Sequence, residues 1–240
     1  NPKSSQLRFH TQTAGVTLTA QQPMNNAVRV SYQALSAVLG GTQSLHTNSY
    51  DEAIGLPTNE SVKIALRTQQ IIASETGVAD VVDPLAGSYH VEELTASIKE
   101  KSRKLIIEIE DKGGVLDCLK LGFQQKMIHE SAWKEIKDIE ENNILVVGVN
   151  SNIDVDEELK SAMEIDSGNE NKQITKLINF KKGRNEDEVS KKLNELRVVC
   201  QGTENIMPSL IESLKIGATV GEVNGIMREV FGTWVSPSGV

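Results

Sequence analysis

Two short stretches near the start of the chain alternate polar and apolar residues, and a helical pattern lies between them. In Leu7-Arg8-Phe9-His10-Thr11-Gln12 the two-residue period puts Arg8, His10 and Gln12 on one face and Leu7 and Phe9 on the other. In Thr42-Gln43-Ser44-Leu45-His46-Thr47-Asn48 the same period puts Ser44, His46 and Asn48 together. Both predicted strands therefore carry hydrogen-bonding groups where a strand buried on both sides carries Val and Ile. Two readings follow. The pair is either the wall of a polar channel or two edge strands with one wet face, and periodicity favours neither.

The intervening helix is expected to start at the capping box Thr19-Ala20-Gln21-Gln22. Met24, Ala27, Val28, Ser31, Leu35, Val38 and Leu39 form its inner stripe, and Gly40-Gly41 ends it. A second helix opens at Thr58 as N-cap, with Val62, Ala65, Leu66, Gln69, Ile72 and Ala73 inward and Gly77 just past its end. The run Ala79–Pro84 reads as a third short strand closed by proline. The order β-α-β-α-β with short connections is the pattern of a parallel α/β sheet or barrel. Beyond Gly87 the rhythm turns helical. A long helix runs over about 91–112 with Leu94, Ile98, Leu105 and Ile109 inward, and helical pattern continues through 115–142 with a break at Gly122. Ile144–Val149 is strongly β-prone. Residues 150–190 are polar and charge-mixed, with room for one amphipathic helix, and three helices follow at about 186–201, 203–216 and 219–232. The last begins with the capping box Thr219-Val220-Gly221-Glu222. The expected division is a partial β/α barrel over 1–112 and a mainly helical region over 113–240.

Composition narrows the function classes. With 38% hydrophobic and 24% charged residues in 240, the chain has the ordinary make-up of a globular protein. A net charge of −8 speaks against nucleic acid or an anionic membrane as partner. No apolar run approaches the 18 or so residues of a membrane span. The first five residues contain no apolar signal core, and without an initial Met a processed or excised product is expected. Cys118 and Cys200 lie far apart in helical patterns, as buried reduced thiols of a cytoplasmic protein would. The four histidines (His10, His46, His90, His129) form no i, i+4 pair, so zinc is not expected. His90 reads as local capping and His129 as a surface residue. No phosphate-binding glycine loop or nucleophile elbow is present. The polar strand-end set, His10, Gln12, Ser44, His46, Asn48 and Glu52, remains as candidate chemistry. Its amides and carboxylate suit hydrogen bonding to a large polar ligand better than proton transfer.

At these residues the sequence resembles the adenosylcobalamin-dependent acyl-CoA mutases, the methylmalonyl-CoA mutase family. The resemblance rests on Arg8-Phe9-His10-Thr11-Gln12-Thr13-Ala14-Gly15, on Gln43 through Ala53, on Leu56-Pro57-Thr58, on Arg67-Thr68-Gln69-Gln70 and on Asp83 through Tyr89, with Glu204-Asn205-Ile206-Met207-Pro208 near the end. It thins out between about 150 and 185. It implies an α/β fold, the C-terminal portion of a TIM (β/α)8 barrel (strands six to eight) threaded by the pantetheine arm of coenzyme A, followed by a mostly helical region. It also implies that His10 and Gln12 face adenosylcobalamin, that Asn48 and Glu52 lie near the corrin and the adenosyl ribose, and that Ser44 neighbours coenzyme A. The family's acyl-binding tyrosine, arginine and histidine have no counterpart in these residues. Nor does its Asp-x-His-x-x-Gly cobalt-ligand signature. Implied partners are thus the N-terminal half of the barrel, a cobalamin-binding module that supplies the lower cobalt ligand, and an acyl-CoA. The isolated chain is expected neither to bind the cofactor tightly nor to turn over. A non-catalytic assembly fragment, or a mutase of the isobutyryl- or ethylmalonyl-CoA type, is the alternative.

Overall fold

The computed structural model describes residues 1–155 and 168–235, which fall into two compact units, one within the first range and one within the second. In the first unit, strand β1 (His10–Gln12) leads through a 3-10 turn at Gly15–Thr17 into helix α1 (Asn25–Leu39). Strand β2 (Ser44–His46) then leads into helix α2 (Asn59–Glu75). The strands pair in parallel with His10 opposite Ser44, Thr11 opposite Leu45 and Gln12 opposite His46. Hydrogen bonds from Gln43 N to Phe9 O (3.2 Å) and from Thr13 N to His46 O (3.0 Å) carry the ladder one step further at each end. A parallel pair needs a crossover, and α1 is that crossover.

Thr58 caps α2, its hydroxyl accepting from Ser61 N, and Gly77 follows in the left-handed conformation that its missing Cβ permits, both as expected. The start of α1 differs from expectation. Thr19 turns its hydroxyl to Gln21 O, so no capping box forms, and the helix begins only at Asn25, after Pro23. Its buried stripe is Asn26, Val30 and Ala34, while Met24 and Val28 are exposed. Apolar residues cover more than half of the circumference of this helix, so the 3.6-residue period alone does not select which part of that arc is covered. On α2 the buried set is Ser61, Ala65, Thr68 and Ile72, and Val62 and Leu66 are exposed.

The expected third strand is absent. Residues Val78–Asp80 form a 3-10 turn, and Val81–Asp83 run on as unpaired bends with Val82 almost wholly exposed. A β-prone segment becomes a strand only when another strand takes up its hydrogen bonds. The run Ile144–Val149 is also not a strand, apart from one bridge between Val147 and Ser151. Asn150 serves its backbone instead. The Asn150 side chain accepts from Val146 N and donates to Ile139 O and Ile144 O, at 2.7–2.8 Å.

Helices α3 (Tyr89–Asp111), α4 (Val115–Lys120) and α5 (Phe123–Glu140) follow among the described residues of the unit, with Gly122 in the left-handed region at the expected break. Neither α3 nor α5 buries a residue, and Leu94, Ile98 and Leu105 of the expected α3 stripe are exposed.

The second unit contains α6 (Gly168–Lys182), α7 (Glu186–Gln201), α8 (Ile206–Lys215) and α9 (Val220–Phe231). Part of the polar segment expected over 150–190 lies outside the described residues. Val189, Leu196, Cys200, Ala218, Val223 and Ile226 form the core of this unit. Its Thr219–Glu222 capping box is made in full. Arg184 is enclosed, donating to both oxygens of Glu222 and to Gly217 O at 2.6–2.8 Å. Cys118 and Cys200 are both buried free thiols. Among the described residues no helix is long and apolar enough to cross a membrane.

Candidate functional site

The polar positions of β1 and β2 meet on one side of the two-stranded sheet. Thr47 marks the other side, where its hydroxyl donates to Ala65 O of α2 at 2.7 Å and accepts from Gln69 Nε2 at 3.0 Å. Its neighbours His46 and Asn48 therefore point the opposite way. There, His10 Nδ1 and Ser44 Oγ share a hydrogen bond of 2.7 Å, as the register of their backbones allows. One pleat repeat further on, Gln12 Nε2 donates to Asn48 Oδ1 at 3.1 Å. His10, Gln12, Ser44 and His46 are all exposed on this face, and Leu45 is half-buried.

Asn48 differs from the rest. It is 2% exposed, its backbone N–H is held by Thr13 Oγ1 at 2.9 Å, and its side-chain Nδ2 has no partner. An unpaired buried amide costs on the order of 1–3 kcal/mol, so Asn48 presents a donor that an incoming acceptor would satisfy. Gly15 borders it closely. A Cβ on Gly15 would stand 2.7 Å from Asn48 Nδ2 and 2.8 Å from Glu52 Oε1. Any larger residue at position 15 would thus push against these two side chains, which lie together at the end of the strands. The chemistry of the set is that of a cradle: one free amide donor, one exposed carboxylate able to accept two hydroxyls, and backbone that a ligand can approach.

Three residues with no chemical signature of their own fix this cradle. Gln33 of α1 accepts from Ala14 N and donates to Thr17 Oγ1, which holds the turn containing Gly15. Thr13, buried beside Asn48, is the second. Asn26, fully buried, donates to Thr19 O and Tyr50 O, each at 2.8 Å. None of the three stands out in the sequence, because each serves backbone groups and none has a titratable or nucleophilic side chain.

Asp51, also buried, accepts from Thr58 N at 3.1 Å and so ties the loop after β2 to the head of α2. Burial by itself raises the Asp51 carboxyl. Hydrogen bonds from Ser61, the Thr58 backbone and Ser49 outweigh it and hold the group below the ordinary carboxylate range. Burial pushes the Tyr50 hydroxyl up, and the charges of Glu60 and Asp51 add to the shift.

The sequence-derived candidates thus gather into two neighbouring sets, His10 with Ser44, and Gln12 with Asn48 and Glu52. No hydrogen bond joins His46 to either set among those described. His90 and His129 stand exposed on α3 and α5, and no group of three metal-ligating side chains occurs among the described residues.

These features define a parallel α/β unit with Gln12, Asn48 and Glu52 at or just beyond the carboxyl ends of its strands. Comparison with known proteins fixes the lineage. Residues 1–233 match the family model for methylmalonyl-CoA mutase. The chain is 44% identical, over 98% of its length, to the 2-hydroxyisobutanoyl-CoA mutase large subunit of Aquincola tertiaricarbonis, covering 42% of that protein. It is 39% identical to the methylmalonyl-CoA mutase of Escherichia coli, over 99% of the chain and 34% of that protein. Against the mitochondrial methylmalonyl-CoA mutase of Bos taurus the identity is 42%, over 97% of the chain and 31% of that protein. The chain belongs to the methylmalonyl-CoA mutase family. It spans about a third to two fifths of the length of these relatives.

Proposed function

We propose that the chain is part of the catalytic portion of an adenosylcobalamin-dependent acyl-CoA mutase, an isomerase that rearranges the carbon skeleton of an acyl-CoA. In this reading β1 and β2 are the sixth and seventh strands of a TIM (β/α)8 barrel, and residues 79–84 become the eighth once neighbouring strands complete it. The observation that carries the proposal is the unpaired, buried Nδ2 of Asn48, braced by Gln12 and open along Gly15. A large cofactor edged with amide and hydroxyl acceptors fits such a cradle.

When bound, adenosylcobalamin supplies radical chemistry by breaking its cobalt–carbon bond. The chain's own residues position and enclose it. Asn48 Nδ2 donates to an acceptor on the cofactor, Gln12 holds the Asn48 amide in that orientation, and the Glu52 carboxylate accepts from the ribose hydroxyls. His10, fixed by Ser44, lines the cofactor side of the face, and Ser44 itself borders the pantetheine arm of the substrate. The lower cobalt ligand comes from a separate cobalamin-binding domain or small subunit. The missing part of the barrel comes from an N-terminal portion that also reads the acyl group. The substrate class is an acyl-CoA of the methylmalonyl or 2-hydroxyisobutanoyl kind named for the relatives, in a cytoplasmic enzyme. A pure assembly fragment is disfavoured, because a chain kept only for its helices has no use for this cradle.

The test is Glu52→Gln in the full-length protein assembled with its cobalamin module. Stability is expected to change by no more than about 0.5 kcal/mol, as for a surface substitution. Adenosylcobalamin binding is expected to weaken tenfold or more. Unchanged binding and unchanged cobalt–carbon cleavage in stopped-flow absorbance would remove Glu52 from the site.

A further inference from the structure

The two segments that form the cradle come from different parts of the chain. Gln12, Thr13 and Gly15 lie on β1 and the connection after it, and Asn48 and Glu52 follow β2. Beyond Gly15 and Asn48 each connection leaves the sheet, and apart from the 3-10 turn at Gly15–Thr17 neither has regular structure as far as its next helix. Loops of this kind keep a fixed spacing only where something ties them together.

Asn26, in the first turn of α1, makes that tie. Its Oδ1 accepts from Thr19 N at 3.1 Å and from Arg29 Nη1 at 2.7 Å, and its Nδ2 donates to Thr19 O and Tyr50 O, both at 2.8 Å. A primary amide offers two donors and two acceptor lone pairs, and all four are used. The residue has no exposed surface. Thr19 belongs to the connection after β1, and Tyr50 lies between Asn48 and Glu52. One side chain therefore joins both walls of the cradle. Arg29 backs it up, with Nη1 also donating to Thr19 Oγ1 at 3.1 Å and Nη2 donating to Val147 O at 2.7 Å. Gln22 Nε2 reaches Asn152 O at 2.8 Å, so residues 147–152 brace the β1 connection from behind.

We propose that Asn26 is the positioning residue of this site, setting the spacing between the loop of Gly15 and the loop of Asn48 and Glu52 through its bonds to Thr19 and Tyr50. Asn26 touches no ligand itself. The inference rests on the reading of the cradle as the cofactor site. Only asparagine meets the four requirements at this size. Aspartate keeps the shape but loses both donors, leaving the carbonyls of Thr19 and Tyr50 facing a carboxylate oxygen.

The test compares Asn26→Asp with Val30→Ala in the full-length protein. Val30 lies one turn further along the same helix, is buried, and takes no part in the tie. If Asn26 only stabilises the fold, the two variants lower the unfolding midpoint and leave cofactor affinity alike. The positioning role instead predicts that Asn26→Asp weakens adenosylcobalamin binding tenfold or more at a temperature where both are folded, while Val30→Ala binds within twofold of the parent. A second readout needs no variant and no cofactor. In native-state hydrogen exchange of the apo protein, peptides spanning 14–20 and 47–53 are expected to open together with the first turn of α1. Independent opening of the two loops overturns the proposal, as does parent-like binding by Asn26→Asp. Failure of the unmutated protein to bind adenosylcobalamin at all would instead sink the functional reading and leave the loop-opening result to decide the tie.

Discussion

Gly15→Ala isolates the geometry of the cradle from everything else in the protein. The added methyl would stand 2.7 Å from Asn48 Nδ2 and 2.8 Å from Glu52 Oε1, whereas ordinary contact begins at 3.4 Å. The two side chains must therefore retreat by about 0.6–0.7 Å. Glu52 is exposed and swings away freely. Asn48 does not, because Thr13 holds its backbone and Gln12 its amide. A shift of that size away from Gln12 would stretch the 3.1 Å bond to about 3.8 Å, outside hydrogen-bonding range. Overpacking a fixed neighbour costs about 1–3 kcal/mol. Losing a glycine's freedom in the unfolded chain returns about 0.4–1 kcal/mol. The expected net loss of stability is therefore about 0–2.6 kcal/mol, read from urea denaturation of the full-length protein. The effect on cofactor affinity is larger in its consequence, because both cradle groups move. A loss of at least tenfold, about 1.4 kcal/mol, is expected in a titration followed by cobalamin absorbance. Parent-like stability together with parent-like affinity would show that the space in front of Gly15 is not occupied as described, and the argument for the cradle would fall with it.

Two further outcomes concern charge. The folded-state pKa of Asp51 is depressed, so its contribution is fully present above the unfolded carboxyl value near 4 and is lost as pH falls through the lower folded value. Asp51→Asn should therefore flatten the acid limb of the stability curve of the first unit, and an unchanged limb would refute the role given to its bond with Thr58. In the second unit, Arg184 beside Glu222 holds that carboxyl far below its usual range, with the same sign of pH dependence. Glu222→Gln keeps the Thr219 cap but uncouples the enclosed guanidinium, and should cost about 1.5–3 kcal/mol in denaturant unfolding. A cost under about 0.5 kcal/mol would refute the pairing.

Helices were legible in the sequence where local chemistry decides them. Thr58, Gly77, Gly122 and the Thr219–Glu222 pair each satisfy or permit a helix end within a few residues, so no distant partner is needed to place it. Prediction failed where the deciding group was remote or was a side chain acting for the backbone. Thr19 has the spacing of a cap but turns to Gln21 O, and Asn150 supplies the hydrogen bonds that a neighbouring strand would give to 144–146. Residues 79–84 have the composition of a strand and, among the described residues, no strand beside them. The α3 stripe has the right period, yet Leu94, Ile98 and Leu105 stand exposed among the described residues.

The site divides along the same line. His10, Gln12, Ser44 and Asn48 were legible as one polar face because alternate residues of a strand share a side, and polar side chains at those positions contradict the apolar pattern of a buried strand. Thr13, Asn26 and Gln33 were not legible because they create no contradiction. A buried asparagine with all four hydrogen bonds made looks, in the sequence, like any polar residue early in a helix. In the proposed reading, the groups that meet the cofactor include one left unsatisfied, Asn48 Nδ2. The groups that position them are silent because they are satisfied, and only coordinates reveal what they join. For this cradle the consequence is concrete. A survey of chemically distinctive residues would stop at Gln12, Asn48 and Glu52, yet the distance between their two loops is set by an amide in α1 that shares none of their chemistry.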